Sequence, residues 1–169
     1  ATCSITGYNP IMLKTQIDLP LKSRKTVSEV ANARLAQLLD LQLAVKHAHW
    51  NVRGVHFIGL HELFDKLYTE LAEPIDVLAE RIGQLGFLAN GTLEMVKKNS
   101  TLKPYPAEII ADKDHLKALQ STYAQVAKDV RSAIDTCDKA DDKDSADLFT
   151  DLLRIIDKQL WFIEAHLQA

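Results

Sequence analysis

The sequence predicts an all-α protein, a four-helix bundle in which a long crossover joins the second and third helices. Apolar residues recur three or four positions apart along four long segments of the chain. Glycine, asparagine and proline punctuate the stretches between those segments, as loops do. The chain has 169 residues, 47% of them hydrophobic and 25% charged. A chain of this size and composition is most simply one globular domain with a substantial core.

The first 25 residues show little periodicity, and we expect them to form an N-terminal arm ahead of a single bundle domain at residues 26–169. Turn-forming residues interrupt this arm at Gly7, Asn9, Pro10 and Pro20. Thr26 and Glu29 have the spacing of a capping box, which satisfies free backbone N–H groups at a helix start. The first helix is therefore predicted from about Thr26 to Val52, with His49 in its last turn.

The second predicted helix runs from about His56 to Gln84, after a break at Gly54. Pro74 lies inside it, lacks the N–H that would bond the Glu70 carbonyl, and brings its ring against that carbonyl. We therefore expect a kink between Glu70 and Pro74, or a new helix that begins at Pro74.

The rest of the chain predicts a crossover and two more helices. Residues 86–103 form the crossover, with a short helix at Leu93–Lys97. The third helix is predicted to have Pro106 in its first turn and to run to about Thr136, with His115 exposed near its start. An acidic turn at residues 138–144 precedes the fourth helix, predicted at Ser145–Leu167.

Two pairs of side chains on the second helix, one of a histidine with an acid and one of two acids, suggest a metal site. They are His61 with Asp65 and Asp76 with Glu80, each at i,i+4 spacing, and His49 lies just upstream. Residues four apart share a helix face, and imidazole with carboxylate suits a first-row divalent metal. On a helical wheel these residues lie beside the apolar stripe, where carboxylates are often only a solvated surface.

The spacing of the two pairs leaves two alternatives. From Asp65 to Asp76 the helix advances about 16 Å, whereas one ion bonds its ligands at about 2.0–2.2 Å. One straight helix therefore cannot bring both pairs to one ion. Either the pairs are two incomplete half-sites, or an antiparallel second copy in a symmetric homodimer joins one pair to the other.

Three runs of sequence resemble the Dps mini-ferritins, the DNA-binding proteins from starved cells. The runs are His49-Trp50-Asn51, His61-Glu62-Leu63-Phe64-Asp65 and Asp76-Val77-Leu78-Ala79-Glu80-Arg81. The likeness extends over nearly the whole chain after about Thr26. It implies a ferritin-like four-helix bundle and a ferroxidase that oxidises Fe(II), preferably with hydrogen peroxide, and stores ferric mineral in a hollow dodecamer. It also implies that His49, His61 and Asp65 of one subunit share iron with Asp76 and Glu80 of its two-fold partner.

The resemblance gives further residues a role. Trp50 is interpreted as a packing residue or as a ring near the site that takes up stray oxidising equivalents. A cluster of acids near the start of the fourth helix has two interpretations: solvated acids that favour a helix start, or, as the resemblance implies, the lining of a cation pore, since carboxylates attract cations by their summed field. The acids are Asp142, Asp147 and Asp151. Some relatives bind DNA through a lysine-rich tail, and the candidate contacts here are Lys14, Lys22, Arg24 and Lys25.

Charge and cysteine content bear on partners and location. The net charge is −3, and Asp18 cancels Lys14 within the first 20 residues, so weak or absent DNA binding is expected. No apolar run approaches the length of a membrane span, and no secretion signal is recognisable. Cys3 and Cys137 suggest no disulfide framework. A bacterial cytoplasm, with the nucleoid as a further location, is the expected compartment. DNA compaction with a secondary metal site is the alternative function.

Overall fold

The computed structural model describes residues 11–168, and six helices lie within that range. They are α1 (Leu21–Asn51), α2 (Phe57–Glu70), α3 (Ala72–Gln84), α4 (Leu93–Asn99), α5 (Asp112–Lys139) and α6 (Lys143–Ala165). α1, the α2–α3 pair, α5 and α6 form the four-helix bundle, and α4 lies in the crossover, which confirms the predicted fold. Within residues 11–168 no helix has both the length and the apolar character needed to cross a bilayer.

The core follows the apolar stripes predicted from the sequence. On α2 and α3 the whole predicted stripe is buried: Leu60, Phe64, Leu67, Leu71, Ile75, Leu78 and Ile82. Tyr123 of α5 and Phe149 of α6 are the largest fully buried side chains from the other half of the bundle. Each such side chain contributes roughly 1.5–3 kcal/mol when it leaves water, so this shared core fixes how the helices carrying the candidate ligands pack.

The start of α1 differs from the prediction. The helix begins at Leu21, after Pro20 with φ −53°, so Thr26 and Glu29 lie inside it and form no capping box at its start. The Arg24 N–H already donates to the Pro20 carbonyl at 3.0 Å. A proline just before a helix supplies a fixed φ close to the helical value, which favours this earlier start.

Part of the predicted arm is bonded to the bundle. The Leu13 N–H donates to the Gly86 carbonyl at 2.9 Å. Gly86 has φ +86°, and a Cβ at this position would lie 2.7 Å from the Leu13 carbonyl oxygen. Glycine is therefore required for this close approach. Residues 1–10 of the predicted arm lie outside the described residues.

The third bundle helix also starts elsewhere than predicted. α5 begins at Asp112, and Pro106 is outside it. The Arg53 N–H donates to the Ile110 carbonyl at 2.7 Å, and the Asp112 N–H donates to the Arg53 carbonyl at 2.9 Å. These two bonds hold the chain in an extended, bridge-like pairing that delays the helix. The short crossover helix and the fourth bundle helix agree with the prediction to within two residues at each end.

The expectation that His115 is exposed is wrong, because its side chain is fully buried. Its Nδ1 lies 2.7 Å from the Tyr105 hydroxyl, and His47 approaches the Tyr105 ring edge-on with centroids 5.6 Å apart. Burial, followed by the nearby His47, lowers the pKa of His115. The imidazole is therefore a neutral part of the contact between α1, the crossover and α5.

The predicted interruption between Glu70 and Pro74 is confirmed, but the new helix begins at Ala72 and not at Pro74. α2 ends at Glu70 and α3 begins at Ala72, so the second bundle helix is interrupted at Leu71. The Leu71 N–H donates to the Tyr68 carbonyl at 3.3 Å, a tighter turn than an α-helix makes. The interruption falls between the two candidate ligand pairs.

Candidate metal centre

Two histidines from neighbouring helices form the centre of the candidate site. The rings of His49 on α1 and His61 on α2 stack with centroids 3.8 Å apart and planes 21° apart. The His49 Nδ1 lies 2.7 Å from the His61 carbonyl oxygen, and the His61 Nδ1 lies 2.8 Å from the His49 carbonyl oxygen. A carbonyl only accepts hydrogen bonds, so each Nδ1 donates, and in the neutral ring the Nε2 lone pair is left for a metal.

Asp65 lies beside this histidine pair. Its Oδ1 is 3.9 Å from the His49 Nε2 and 2.5 Å from the Lys46 Nζ. The hydrogen bond from Lys46 has the largest effect and lowers the pKa of Asp65; burial acts in the opposite direction, and the positive charge of Lys46 lowers the pKa further. The carboxylate is therefore ionised, and its negative charge attracts a cation.

Lys46 is a site residue that the sequence analysis did not identify. Its Nζ also lies 4.7 Å from the centroid of the Tyr68 ring, which holds the ammonium in place beside Asp65. Lys46 precedes His49 by three positions, so both lie on one face of α1. This i,i+3 spacing could have indicated that Lys46 lies near the site. The pattern of candidate ligands does not include it, because a lysine is not a metal ligand at neutral pH.

An open pocket of about 420 Å³ adjoins these residues. Its lining is made mainly of histidine, carboxylate and other polar side chains: His49, His61, Glu62, Asp65, Lys66, Thr69 and Glu70. The Phe57 ring lies 5.1 Å from that of His61. The pocket thus has room for a hydrated cation next to two nitrogen donors and an ionised oxygen donor.

The other predicted pair does not join this cluster within one chain. Asp76 and Glu80 are exposed on α3, and neither lines the pocket. In the part of the chain that the structure describes, no three histidine, cysteine or acidic side chains gather closely enough to hold an ion. A single subunit therefore places His49, His61 and Asp65 around one pocket without closing them onto an ion, and it leaves the acids of α3 on its surface.

Trp50 is exposed over 61% of its surface, so it does not pack fully within its own chain as the packing interpretation expected. It belongs to a set of large apolar side chains that α1, α3 and α6 leave open to solvent, among them Val77 and Trp161. Its suggested redox role remains a prediction.

The three predicted pore acids differ in their surroundings. The Asp142 side chain is 1% exposed and lies 2.9 Å from Nη2 of Arg81. It also caps α6, since its Oδ1 accepts from the Ser145 N–H at 3.0 Å. Asp142 thus offers no surface carboxylate in the single chain, in contrast to the expectation for a pore residue. Asp147 and Asp151 are exposed.

The candidate DNA contacts also divide into two groups. Lys14, Lys22 and Lys25 are exposed. The Arg24 guanidinium instead donates to the Leu19 carbonyl at 3.1 Å and to the Leu85 carbonyl at 2.9 Å. Arg24 is therefore a structural residue that joins the start of α1 to the end of α3.

Comparison with known proteins shows similarity over nearly the whole chain. The ferritin-like domain family matches residues 29–169. The "DNA protection during starvation protein" of Agrobacterium fabrum is 46% identical over 155 residues, which cover 92% of this chain and 96% of that protein. The protein of the same name from Mycolicibacterium smegmatis is 37% identical over 160 residues, with 92% and 86% covered. The solved tetragonal form of Mycobacterium smegmatis Dps superposes with a TM-score of 0.87 at 34% identity, covering 91% of this chain and 93% of that one.

Proposed function

Because this chain belongs to the Dps family of ferritin-like proteins, we propose that it is a mini-ferritin that oxidises Fe(II) and stores the ferric product in a hollow homo-oligomeric shell. One observation carries the proposal. The stacked His49 and His61 rings direct each Nδ1 to a carbonyl and leave each Nε2 for a metal, next to the ionised Asp65. Fixing the tautomer through the second nitrogen is how proteins commonly prepare histidine ligands.

The donor set suits iron in both oxidation states. Imidazole nitrogen and carboxylate oxygen bind Fe(II), and the carboxylate retains Fe(III) after oxidation. Two Fe(II) ions each lose one electron, and one hydrogen peroxide takes both electrons with two protons to give two waters. Hydrogen peroxide is the proposed preferred oxidant, because delivery of both electrons at one site releases no hydroxyl radical.

The complete centre is proposed to form between two subunits. Asp76 and Glu80 of one chain join His49, His61 and Asp65 of its two-fold partner. Three features support this arrangement: the axial separation of the pairs, the exposure of both acids on α3, and the exposed apolar Val77 beside Asp76. A second copy that covers Val77 removes apolar surface from water and brings the acids to the open histidine pocket.

Assembly and iron entry follow from the same proposal. Two-fold dimers build a dodecamer around the mineral cavity, and exposed Asp147 and Asp151 draw cations toward an entrance. The buried Asp142 supports that entrance only indirectly, by capping the helix that carries both acids.

DNA binding is the alternative function, and we propose that it is weak. Only Lys14, Lys22 and Lys25 of the four candidate contacts have exposed side chains, since Arg24 is engaged by two backbone carbonyls. Three lysines per chain offset by a net charge of −3 provide a modest attraction for phosphate.

A subunit-mixing experiment tests the proposed centre. One variant carries His61→Ala and Asp65→Ala, and the other carries Asp76→Ala and Glu80→Ala. Each alone should oxidise Fe(II) very slowly, because every two-fold dimer of either variant has two damaged centres. After the two are unfolded, mixed and refolded together, a mixed dimer has one centre with all four changes and one intact centre. Fe(II) oxidation by hydrogen peroxide, followed optically, should then recover in part.

The control refolds each variant by itself through the same steps, and mass measurement confirms the mixed dimers. About half of randomly paired dimers are mixed, and one of their two centres is whole, so roughly a quarter of all centres should be active. No recovery in confirmed mixed dimers would refute the intersubunit centre. Full activity of the Asp76→Ala and Glu80→Ala variant by itself would show that α3 supplies no ligand.

A further inference from the structure

The junction between α2 and α3 lies between the two halves of the proposed centre. His61 and Asp65 precede it, and Asp76 and Glu80 follow it. The angle between α2 and α3 therefore sets the position of Asp76 and Glu80 relative to the histidine pocket of the same subunit. In the proposed dimer, both parts must face the partner at the same time. Pro74 cannot by itself set the angle of this interruption, because it only removes one backbone hydrogen bond, the one to the Glu70 carbonyl.

Side chains from two other helices reach carbonyls in the last turn of α2, just before the interruption. The Gln42 Nε2 on α1 donates to the Tyr68 carbonyl at 3.2 Å. The Gln159 Nε2 on α6 lies 3.4 Å from the Leu67 carbonyl oxygen and 3.1 Å from the Glu70 carboxylate. The last turn of α2 is thus held from both sides by amide groups.

The orientation of the Gln159 amide is fixed by a buried tyrosine. The Tyr123 hydroxyl donates to the Gln159 Oε1 at 2.8 Å, and both side chains are fully buried. Burial raises the pKa of Tyr123, so the phenol keeps its proton and acts as the donor. The Oε1 therefore accepts from Tyr123, and the Nε2 must face the α2 terminus.

The side-chain amide of Gln159 is fully hydrogen-bonded at the junction. It accepts one hydrogen bond and donates toward two acceptors, so both the oxygen and the nitrogen of this buried amide have hydrogen-bond partners within the protein. Glu70 is further neighboured by Lys66 and Lys158, each with a 3.8 Å nitrogen-to-oxygen distance. A fully satisfied buried polar network favours one geometry over its alternatives.

We propose that Gln159, assisted by Gln42, is a positioning residue for metal binding, because it holds the α2–α3 junction at the angle that brings Asp76 and Glu80 to the partner's histidine pocket. Neither glutamine touches the metal. This inference rests on the proposed function, since it assigns the junction a role in a centre that two subunits share.

The test compares Gln159→Met with Ile156→Val in the full-length, assembled protein. Methionine retains the length of glutamine but cannot donate to Leu67 or Glu70. Ile156 is buried on the same helix, so Ile156→Val loosens the core without removing a junction hydrogen bond. The probe is Co²⁺, whose visible absorption reports the geometry of its ligands without turnover, and amide exchange of Leu71 and Ile75 is measured in metal-free protein.

In Gln159→Met we expect about tenfold weaker Co²⁺ binding, the lower end of the effect of residues that orient ligands, with an altered absorption spectrum. The Leu71 and Ile75 amides should exchange about tenfold faster, as expected for the loss of one or two hydrogen bonds. Ile156→Val should keep the affinity and the spectrum of the unaltered protein. If Gln159→Met does not assemble, Gln42→Met removes the other amide and should show the same changes.

Two results would overturn the inference. One is an unchanged Co²⁺ affinity and spectrum in Gln159→Met, and the other is an equal loss in Ile156→Val, which would indicate only a general loosening of the core. Failure of the proposed function has a different signature: the unaltered protein would not bind Co²⁺ at all, while amide exchange at the junction would still respond to Gln159→Met.

Discussion

Removal of Arg81 should strongly destabilise the protein, because it would leave a buried carboxylate without its cation. The side chains of Arg81 and Asp142 are 8% and 1% exposed, and their Nη2 and Oδ1 atoms are 2.9 Å apart. Arg81 also donates to the Ser145 hydroxyl at 2.8 Å and pairs with Asp144 at 2.7 Å. Breaking one side of a buried pair costs about 3–5 kcal/mol, so Arg81→Met should lose roughly that much unfolding free energy.

The assay is urea unfolding of metal-free protein at one fixed protein concentration. The matched control is Arg131→Met, because Arg131 pairs with Asp157 at 2.8 Å while about half of each side chain is exposed. Exposed pairs are worth about 0–1 kcal/mol, so the control should change little.

A double variant separates the lost pair from the lost packing. Adding Asp142→Asn to Arg81→Met removes the uncompensated charge but keeps an oxygen that caps α6. This variant should recover part of the stability. A loss below about 1 kcal/mol in Arg81→Met, or a double variant less stable than the single one, would refute the account of Asp142 as a buried partner and cap.

Three further expectations concern pH, iron entry and DNA. Folding lowers the pKa of His115, so below about pH 6.5 the unfolded chain binds a proton that the folded chain does not. The free energy of unfolding should therefore decrease as the pH is lowered, by at most about 1.4 kcal/mol per pH unit. His115→Gln should flatten that fall in urea unfolding between pH 7.5 and 5. Joint replacement of Asp147 and Asp151 by Asn should slow Fe(II) oxidation, most clearly at low ionic strength. In gel shifts with chelator present, DNA binding should be weak at physiological salt, and charge removal at Lys14 and Lys22 should weaken it further.

Each of these expectations has its own contrary result. Parallel stability curves for His115→Gln and the unaltered protein would mean that the imidazole does not govern acid sensitivity. Asp135→Asn, which removes another exposed acid, is the control for iron entry, and an equal slowing there would indicate general charge effects. A tight, salt-resistant DNA complex would show that the three exposed lysines were underestimated.

The fold could be predicted because its signals are local. The apolar stripe from Leu60 to Ile82 repeats at helical spacing whatever the rest of the chain does, and all of it is buried. The interruption near Pro74 was equally predictable, because a missing N–H acts on the preceding turn. Both predictions depend on residues within a few positions of the feature they describe.

The wrongly predicted helix starts are those that depend on contacts with residues distant in the sequence. α1 starts at Leu21 rather than at Thr26, and the Arg24 side chain in its first turn reaches the Leu85 carbonyl, 61 positions away. α5 starts at Asp112 because the chain before it pairs with Arg53. Local turn and cap signals cannot anticipate such contacts, since they score only the residues around a helix end.

The candidate site divides in the same way. The i,i+4 pairs identified His61, Asp65, Asp76 and Glu80 as candidates because ligand spacing on a helix is a local property. The sequence did not reveal that Lys46 pairs with Asp65, because α1 and α2 must first pack side by side. It likewise could not show that Asp142 forms an ion pair with Arg81 of another helix.

The position of the helix interruption links fold to function. A continuous helix would fix Asp76 and Glu80 rigidly relative to His61 by backbone bonds alone. With Pro74 between the pairs, that relation depends on tertiary contacts from α1 and α6. Under the proposed split centre, the side-chain contacts that α1 and α6 make with the junction then control ligand placement on both sides of a two-fold axis. Metal binding should therefore respond to loss of these junction contacts, although they touch no ligand, and it should require that two correctly folded subunits be paired.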